Sequence, residues 1–260
     1  MKKLLEPLWR LVYPEACVVC ARRLEPDRRH LCPACTESLP WVGEQACPRC
    51  GDAAGPYANT TGGCVACRNR RFFFERAVAP FRYEKPIREL ILQFKLGKRG
   101  SLAYALGDLL CDFLAQGGLS QAVDVVVPVP LHWLRRVSRG FNQAELLALE
   151  IGWRFGVPVA SGLLRRRRAT FTQTAFSGLR RGMNVRGAFN VRFARFSHDG
   201  INRLFNWAQG SVPVLGKRVL VVDDVFTTGS TVNECARMLK EAGAAEVLVA
   251  TVARTHRYTA

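Results

Sequence analysis

The sequence predicts an α/β protein: a parallel sheet flanked by helices, preceded by a small cysteine-rich module. Three observations carry this. Eight of the ten cysteines lie before residue 70, in four Cys-x-x-Cys pairs. The aliphatic run 219–222 and the run 123–127, apolar but for Asp124, have the character of strands covered on both faces. Each is followed by turn-forming polar residues and then by a helical pattern, the order of β–α units. At 260 residues the chain is long enough for one α/β domain and a small module. We divide it into a metal module, 1–70, and the α/β domain, 71–260.

In the module, the two residues between paired cysteines let both sulfurs of a tight turn face one metal. Two such turns complete a tetrahedral zinc site made of four cysteines. Pairing sequence neighbours gives Cys17, Cys20, Cys32 and Cys35 as one site, and Cys47, Cys50, Cys64 and Cys67 as the other. Interleaved pairing needs more chain crossing. Disulfides compete with this reading, but four like pairs in a cytoplasmic protein favour two structural Zn2+ ions. A segment this short holds too little apolar core to fold without them. The cytoplasmic setting is itself an expectation. Glu6, Pro7, Arg10 and Pro14 interrupt the N-terminal apolar stretch, and no run reaches membrane-spanning length.

From Phe72 to Tyr83, the aromatics and Val78 predict two β segments that open the larger domain. A helix follows Pro86, with Ile87, Leu90, Ile91 and Phe94 at helical spacing and Lys95–Gly100 at its end. A second helix runs from about Ser101 to Leu114, with Cys111 in the core, and Gly117-Gly118 breaks it. The strand at 123–127 ends in Pro128-Val129-Pro130. The loop after it carries His132, read as locally hydrogen-bonded, and Arg135, Arg136 and Arg139. A helix then opens at Asn142, with Glu145 in capping-box register. An arginine-bearing loop at the C-terminal edge of a parallel strand is where α/β folds take phosphate ligands.

Val157–Leu164 reads as a further strand, and Arg165–Arg168 opens a polar stretch. Residues 151–198 carry ten arginines and no Asp or Glu, more than half of the net charge of +17. One sign concentrated in this way points to a polyanionic ligand: pyrophosphate, nucleic acid, or both. Single-stranded DNA on Arg165–Arg168 is one such partner, although the segment has few aromatics to stack on bases, Phe171 and Phe176 being the candidates. Within 194–215, Ile201, Leu204, Phe205 and Ala208 recur at helical spacing, a small amphipathic helix that packs on the domain or meets a partner.

The run Lys217–Thr231 organises the rest. Its strand leads to Asp223 and Asp224, and Thr227-Thr228-Gly229-Ser230-Thr231 then turns into a helix. Hydroxyls and free backbone N–H groups at a helix N-terminus make an anion site. The neighbouring carboxylates can hold sugar hydroxyls or a hydrated Mg2+. Thr231 with Glu234 reads as a capping box, and Gly243 ends that helix. Val247–Val252 is the final strand, with Arg254, His256 and Arg257 a basic tail.

This block resembles the ribose-phosphate fingerprint of the type I phosphoribosyltransferases: four apolar residues, two acids, two variable residues, then a small residue, Thr, Gly and Ser or Thr. The resemblance implies that Asp223 and Asp224 contact the ribose hydroxyls of phosphoribosyl pyrophosphate (PRPP). It implies that Thr227, Thr228, Gly229, Ser230 and Thr231 bind its 5′-phosphate, and that Mg2+ accompanies it. The run VPVPLHWLRRVSRGFNQAELLA, residues 127–148, is similar to the signature of the ComF family of competence-associated phosphoribosyltransferase-like proteins. So are a double zinc ribbon before such a domain and the Gln173 and Leu179–Asn184 pattern. This wider resemblance implies a type I phosphoribosyltransferase-like fold, with pyrophosphate contacts at Arg135 and Arg139 and a hood over the site near residues 165–184. The expected function is Mg2+-dependent transfer of ribosyl 5-phosphate to an unnamed acceptor, linked to DNA uptake or processing. The alternative is PRPP sensing without turnover, joined to single-stranded DNA binding. No N-terminal nucleophile or glutaminase half accompanies the fingerprint, and no general base for an acceptor stands out. Oligomeric state is left open.

Overall fold

Aliphatic runs separated by amphipathic segments fold as strands in a sheet with helices on both faces. The computed structural model describes residues 16–25, 29–43, 45–55, 60–68, 70–97, 99–166, 189–191 and 214–256. In chain order its elements are α1 (Pro33–Glu37), α2 (Val65–Arg68), β1 (Arg76–Val78), β2 (Phe81–Arg82), α3 (Ile87–Leu96), α4 (Leu102–Gln116), β3 (Val125–Pro128), α5 (Trp133–Arg139), α6 (Gln143–Phe155), β4 (Leu164–Arg166), β5 (Phe189–Val191), β6 (Arg218–Phe226), α7 (Ser230–Glu241) and β7 (Glu246–Arg254). The helix expected within 194–215, the hood residues 167–184 and Arg257 lie outside the described residues.

The sheet is parallel. β6 and β7 pair at its centre, β3 flanks β6, and β1 and β2 both pair with β7. Period-two alternation explains why the central strands need continuous aliphatic runs. Leu220 and Val222 enter the core beneath α3, α4 and α6, whereas Val219 and Val221 enter the core beneath α7.

The cysteine module contributes to both cores. Cys17, Leu24, Leu31, Cys32, Cys35 and Leu39 pack with α3 and α4 residues, while Cys47, Cys50 and Cys67 pack on the α7 side. Backbone hydrogen bonds extend the sheet edge into the module: Val42 N to Pro80 O at 2.8 Å, Arg82 N to Pro40 O at 2.7 Å and Ala77 N to Arg49 O at 2.9 Å.

Several local expectations are corrected. Val157–Leu164 is not a strand. Pro158 and a positive-φ Gly162 interrupt it, so Val159 alone bridges Val126, and β4 begins at Leu164, antiparallel to β5. The arginine loop is the helix α5, started by His132 Nδ1 accepting from Leu134 N at 3.4 Å and stopped by left-handed Gly140. β6 does not stop before the acids: it runs to Phe226, with Asp223 opposite Thr251. Neither capping box forms. Asn142 Oδ1 does accept from Ala144 N, but Glu145 pairs with Arg136 at 3.3 Å. α7 starts after Gly229 without a side-chain cap, and buried Glu234 pairs with Arg237 at 2.8 Å. Two of the residues expected in a basic tail are tied down: Arg254 ends β7, buried, with its Nε 3.1 Å from Asp52 Oδ1, and His256 Nδ1 meets the same oxygen at 3.1 Å.

Candidate functional site

The four Cys-x-x-Cys turns bring their sulfurs together as Cys17, Cys20, Cys32, Cys35 and as Cys47, Cys50, Cys64, Cys67, each set within 4.8 Å. Pairing is therefore sequential, not interleaved. Sulfur separations are 3.7 Å for Cys20–Cys32 and 3.6 Å for Cys47–Cys67, Cys50–Cys64 and Cys64–Cys67. Zn–S bonds of about 2.3 Å in a tetrahedron require sulfurs about 3.8 Å apart. The donor set and its spacing fit Zn2+, and these are two zinc-binding sites of four cysteines each.

The second centre of chemistry lies at the C-terminal edge of the sheet. Phe226 ends β6, and the chain must turn at once into α7. Gly229 makes that turn with φ 75°, and a Cβ there would come within 2.4 Å of the Phe226 ring. Thr228 Oγ1 lies 2.8 Å from Ser230 Oγ and accepts from Ser230 N at 3.3 Å. The loop thus ends at an uncapped helix N-terminus flanked by hydroxyls.

Just before that turn sit the two acids. Asp224 N donates to Asp223 Oδ1 at 2.9 Å, folding one carboxylate over its neighbour's backbone. The Asp223 carboxyl is pushed up to about 7, first by burial and then by the charge of Asp224. Asp224 Oδ1 meets Lys95 Nζ at 2.8 Å. Burial opposes the Lys95 charge, yet the Asp224 carboxylate holds the ammonium above its ordinary value. Lys95 is a site residue that the sequence did not single out; on paper it only ends an amphipathic helix.

Arginines close the other side. Arg139 is lowered by burial, while the charges of Asp224 and Asp223 oppose that shift. Its Nη1 donates to Gln143 Oε1 at 3.1 Å, and Gln143 Nε2 donates to Phe94 O at 3.3 Å. Gln143, almost fully buried, therefore ties the arginine helix to the end of α3 that bears Lys95. Arg166 is also lowered, by burial and then by Arg135, and Asp223 opposes the shift. Asp224 and Asp223 act electrostatically on Arg139, Asp223 acts on Arg166, Arg135 acts on both arginines, and Lys95 pairs with Asp224. A cavity of about 370 Å³ opens between Pro128, Pro130, Trp133, Arg165 and Arg166. Arg165 stays exposed, and Arg167 and Arg168 lie outside the described residues.

Residues 8–68 match the double zinc ribbon domain, and residues 206–260 match the phosphoribosyl transferase domain. Over 248 residues the chain is 32% identical to the DNA utilization protein YhgH of Salmonella typhimurium, covering 94% of this chain and 99% of that protein. The chain belongs to the ComF family. Competence protein F of Haemophilus influenzae is a further relative, 28% identical over 244 residues that span 92% of this chain and 96% of that one. Among solved structures, a purine phosphoribosyltransferase from Pyrococcus horikoshii Ot3 superposes on 58% of this chain and 70% of its own at 16% identity, with a TM-score of 0.32. In this ComF-family chain, the acid pair and the hydroxyl turn fall inside the matched phosphoribosyl transferase segment, and both sulfur clusters fall inside the matched zinc ribbon. No helix among the described residues is long and apolar enough to cross a membrane.

Proposed function

We propose that this chain binds PRPP with Mg2+ at the C-terminal edge of β6 and transfers ribosyl 5-phosphate to an acceptor. One observation carries the reading: an acid pair, half-buried Asp223 and buried Asp224, leads into a hydroxyl-lined turn and an uncapped helix N-terminus, with the Lys95 ammonium against Asp224. Thr227, Thr228, Gly229, Ser230 and Thr231 take the 5′-phosphate, Asp223 and Asp224 the ribose hydroxyls, and Arg135, Arg139 and Arg166 the pyrophosphate. The donor set suits a hard cation, so Asp223 and Asp224 would hold Mg2+, which neutralises phosphate charge when bound. In transfer, the bond from ribose C1 to pyrophosphate oxygen breaks and one from C1 to the acceptor forms, as the acceptor gives up a proton. Charge that grows on the leaving pyrophosphate is met by fixed guanidinium groups, and charge that grows on the ribose is met by the acids. The zinc thiolates require a reducing compartment, which supports a cytoplasmic setting.

Calorimetric titration with PRPP, with and without Mg2+, tests the site. Asp223→Asn/Asp224→Asn is expected to weaken binding at least a hundredfold; equal binding by the double variant refutes the assignment. Pyrophosphate release that depends on an added acceptor would select transfer over sensing.

A second reading has its own support. No residue of α5 is buried, and Trp133, Leu134 and Val137 are all more than half exposed beside Arg135 and Arg136. An exposed indole among arginines suits single-stranded nucleic acid, and relatives are named for competence and DNA utilization. Oligonucleotide binding should then weaken steeply with salt, and several-fold further in Trp133→Ala; a flat salt response rejects it.

A further inference from the structure

The segment that leaves the second zinc ribbon grips the phosphate turn from behind. Arg70 N donates to Cys67 O at 3.0 Å, which seats Arg70 three residues after a sulfur ligand. Its Nη1 donates to Thr228 O at 3.0 Å. A trans peptide is planar, and its C=O and N–H point in opposite directions. Holding Thr228 O on the ribbon side therefore turns the Gly229 N–H away from the ribbon. That N–H is one of the donors an anion at this helix N-terminus would use.

Neighbouring contacts hold the same strap. Asn233, in the first turn of α7, accepts from Phe73 N through Oδ1 at 2.7 Å and donates to Arg71 O through Nδ2 at 3.2 Å. Arg49, between Cys47 and Cys50, donates to Cys67 O at 3.5 Å and lies over the Phe72 ring at 5.4 Å. Residues 70–73 thus run from the sulfur cluster to the phosphate turn as one hydrogen-bonded path. The first sulfur cluster packs on the α3–α4 side instead, and among the described residues no hydrogen bond joins it to 227–231.

We propose that Arg70 is a positioning residue for the phosphate turn, and that through it metal at Cys47, Cys50, Cys64 and Cys67 is coupled to phosphate binding. The proposal rests on the reading of 227–231 as a phosphate site. Linkage makes the coupling reciprocal: metal that raises affinity for the phosphate ligand is itself held more tightly when that ligand is bound. The coupling belongs to the second zinc site and leaves the first unaffected.

The test uses zinc-loaded full-length protein. Zinc release to a chromogenic chelator is followed with no ligand, with PRPP and Mg2+, with ribose 5-phosphate and with pyrophosphate. Expected is a several-fold slowing of one of the two released zinc equivalents by PRPP and by ribose 5-phosphate, which carries the 5′-phosphate, and none by pyrophosphate. Arg70→Met is expected to bind PRPP about tenfold more weakly, the loss of one charge-assisted hydrogen bond, and to release zinc at a rate PRPP does not change. Arg70→Lys, which keeps a donor, restores part of the protection. If PRPP binds but slows neither equivalent, or slows both equally, the coupling is wrong while the phosphate site stands; the wild-type protein alone decides this. If PRPP fails to bind the wild-type protein, both fall.

Discussion

At the scale of single residues, the site is a problem of charge held out of water. Asp223 and Asp224 are adjacent, so both cannot ionise cheaply at a buried strand end. Asp224 is ion-paired with Lys95, and the Asp223 carboxyl is pushed up to about 7 by burial and then by the charge of Asp224. A ligand that brings Mg2+ prefers the ionised carboxylate, so binding releases a proton. Affinity for Mg2+ and PRPP is therefore expected to rise with pH up to about 7; in Asp223→Asn the rise should shrink to that of the ligand's own phosphates, which titrate near pH ~6, and an unchanged profile would remove Asp223 from the site. The same shift has a stability consequence of fixed sign. The unfolded chain gives up this proton near 3.8 and the folded one near 7, so stability falls as pH rises between those values. Lys95 can be tested separately. Lys95→Met leaves the buried Asp224 carboxylate without its cation and is expected to cost about 2 kcal/mol. Added Mg2+ should restore part of the lost melting temperature in the variant and have little effect on the parent protein.

At the scale of elements, what could be read from the sequence was what repeats locally. Four consecutive aliphatics announced β6, and alternation then sorted them between two cores. The Thr-Thr-Gly-Ser-Thr turn was equally plain, because Gly229 answers to a backbone rule: positive φ and no room for a Cβ. Gly229→Ala is accordingly expected to cost about 2 kcal/mol in a chemical melt and to weaken PRPP binding; an unchanged melt would mean that the turn relaxes without strain. Element ends were less legible. Thr231 and Glu234 have capping-box spacing, but an arginine one turn along, Arg237, bids more strongly for Glu234 than a backbone N–H does. Arg135 and Arg139 look like loop residues after two prolines, yet His132 and Gly140 supply both caps of a short helix. Lys95, Arg70 and Gln143 had no local signal at all. Their partners Asp224, Thr228 and Phe94 lie 129, 158 and 49 residues away, and such pairings exist only once the sheet has closed.

At the scale of the whole molecule, the question is whether the zinc ribbons are ornaments on the sheet or part of its core. Contacts across residue 70 answer through energetics. One sulfur cluster is packed with α3 and α4 and the other on the α7 side, so each face of the sheet has a cysteine-bearing neighbour. The C-terminus of β7 is fixed by Asp52, two residues after Cys50, whose carboxylate meets both Arg254 and His256. Arg254 also lies over Phe226 at 4.5 Å, the residue that the Gly229 turn packs against. A buried guanidinium stripped of its carboxylate is costly, so Asp52→Ala is expected to lose about 3–5 kcal/mol. Zinc removal is expected to act more broadly. Folding energy supplied by metal binding is shared by whatever packs on the metal site, and here that includes both cores. Calorimetry of the zinc-loaded protein should show one cooperative transition, and chelation should abolish it instead of trimming a small early step. A metal-free sheet that melts at nearly its original temperature would show that the ribbons stabilise only themselves. It would also remove the physical basis for coupling the second zinc site to the phosphate turn, because a path made of packing and hydrogen bonds can transmit only what its two ends lose together.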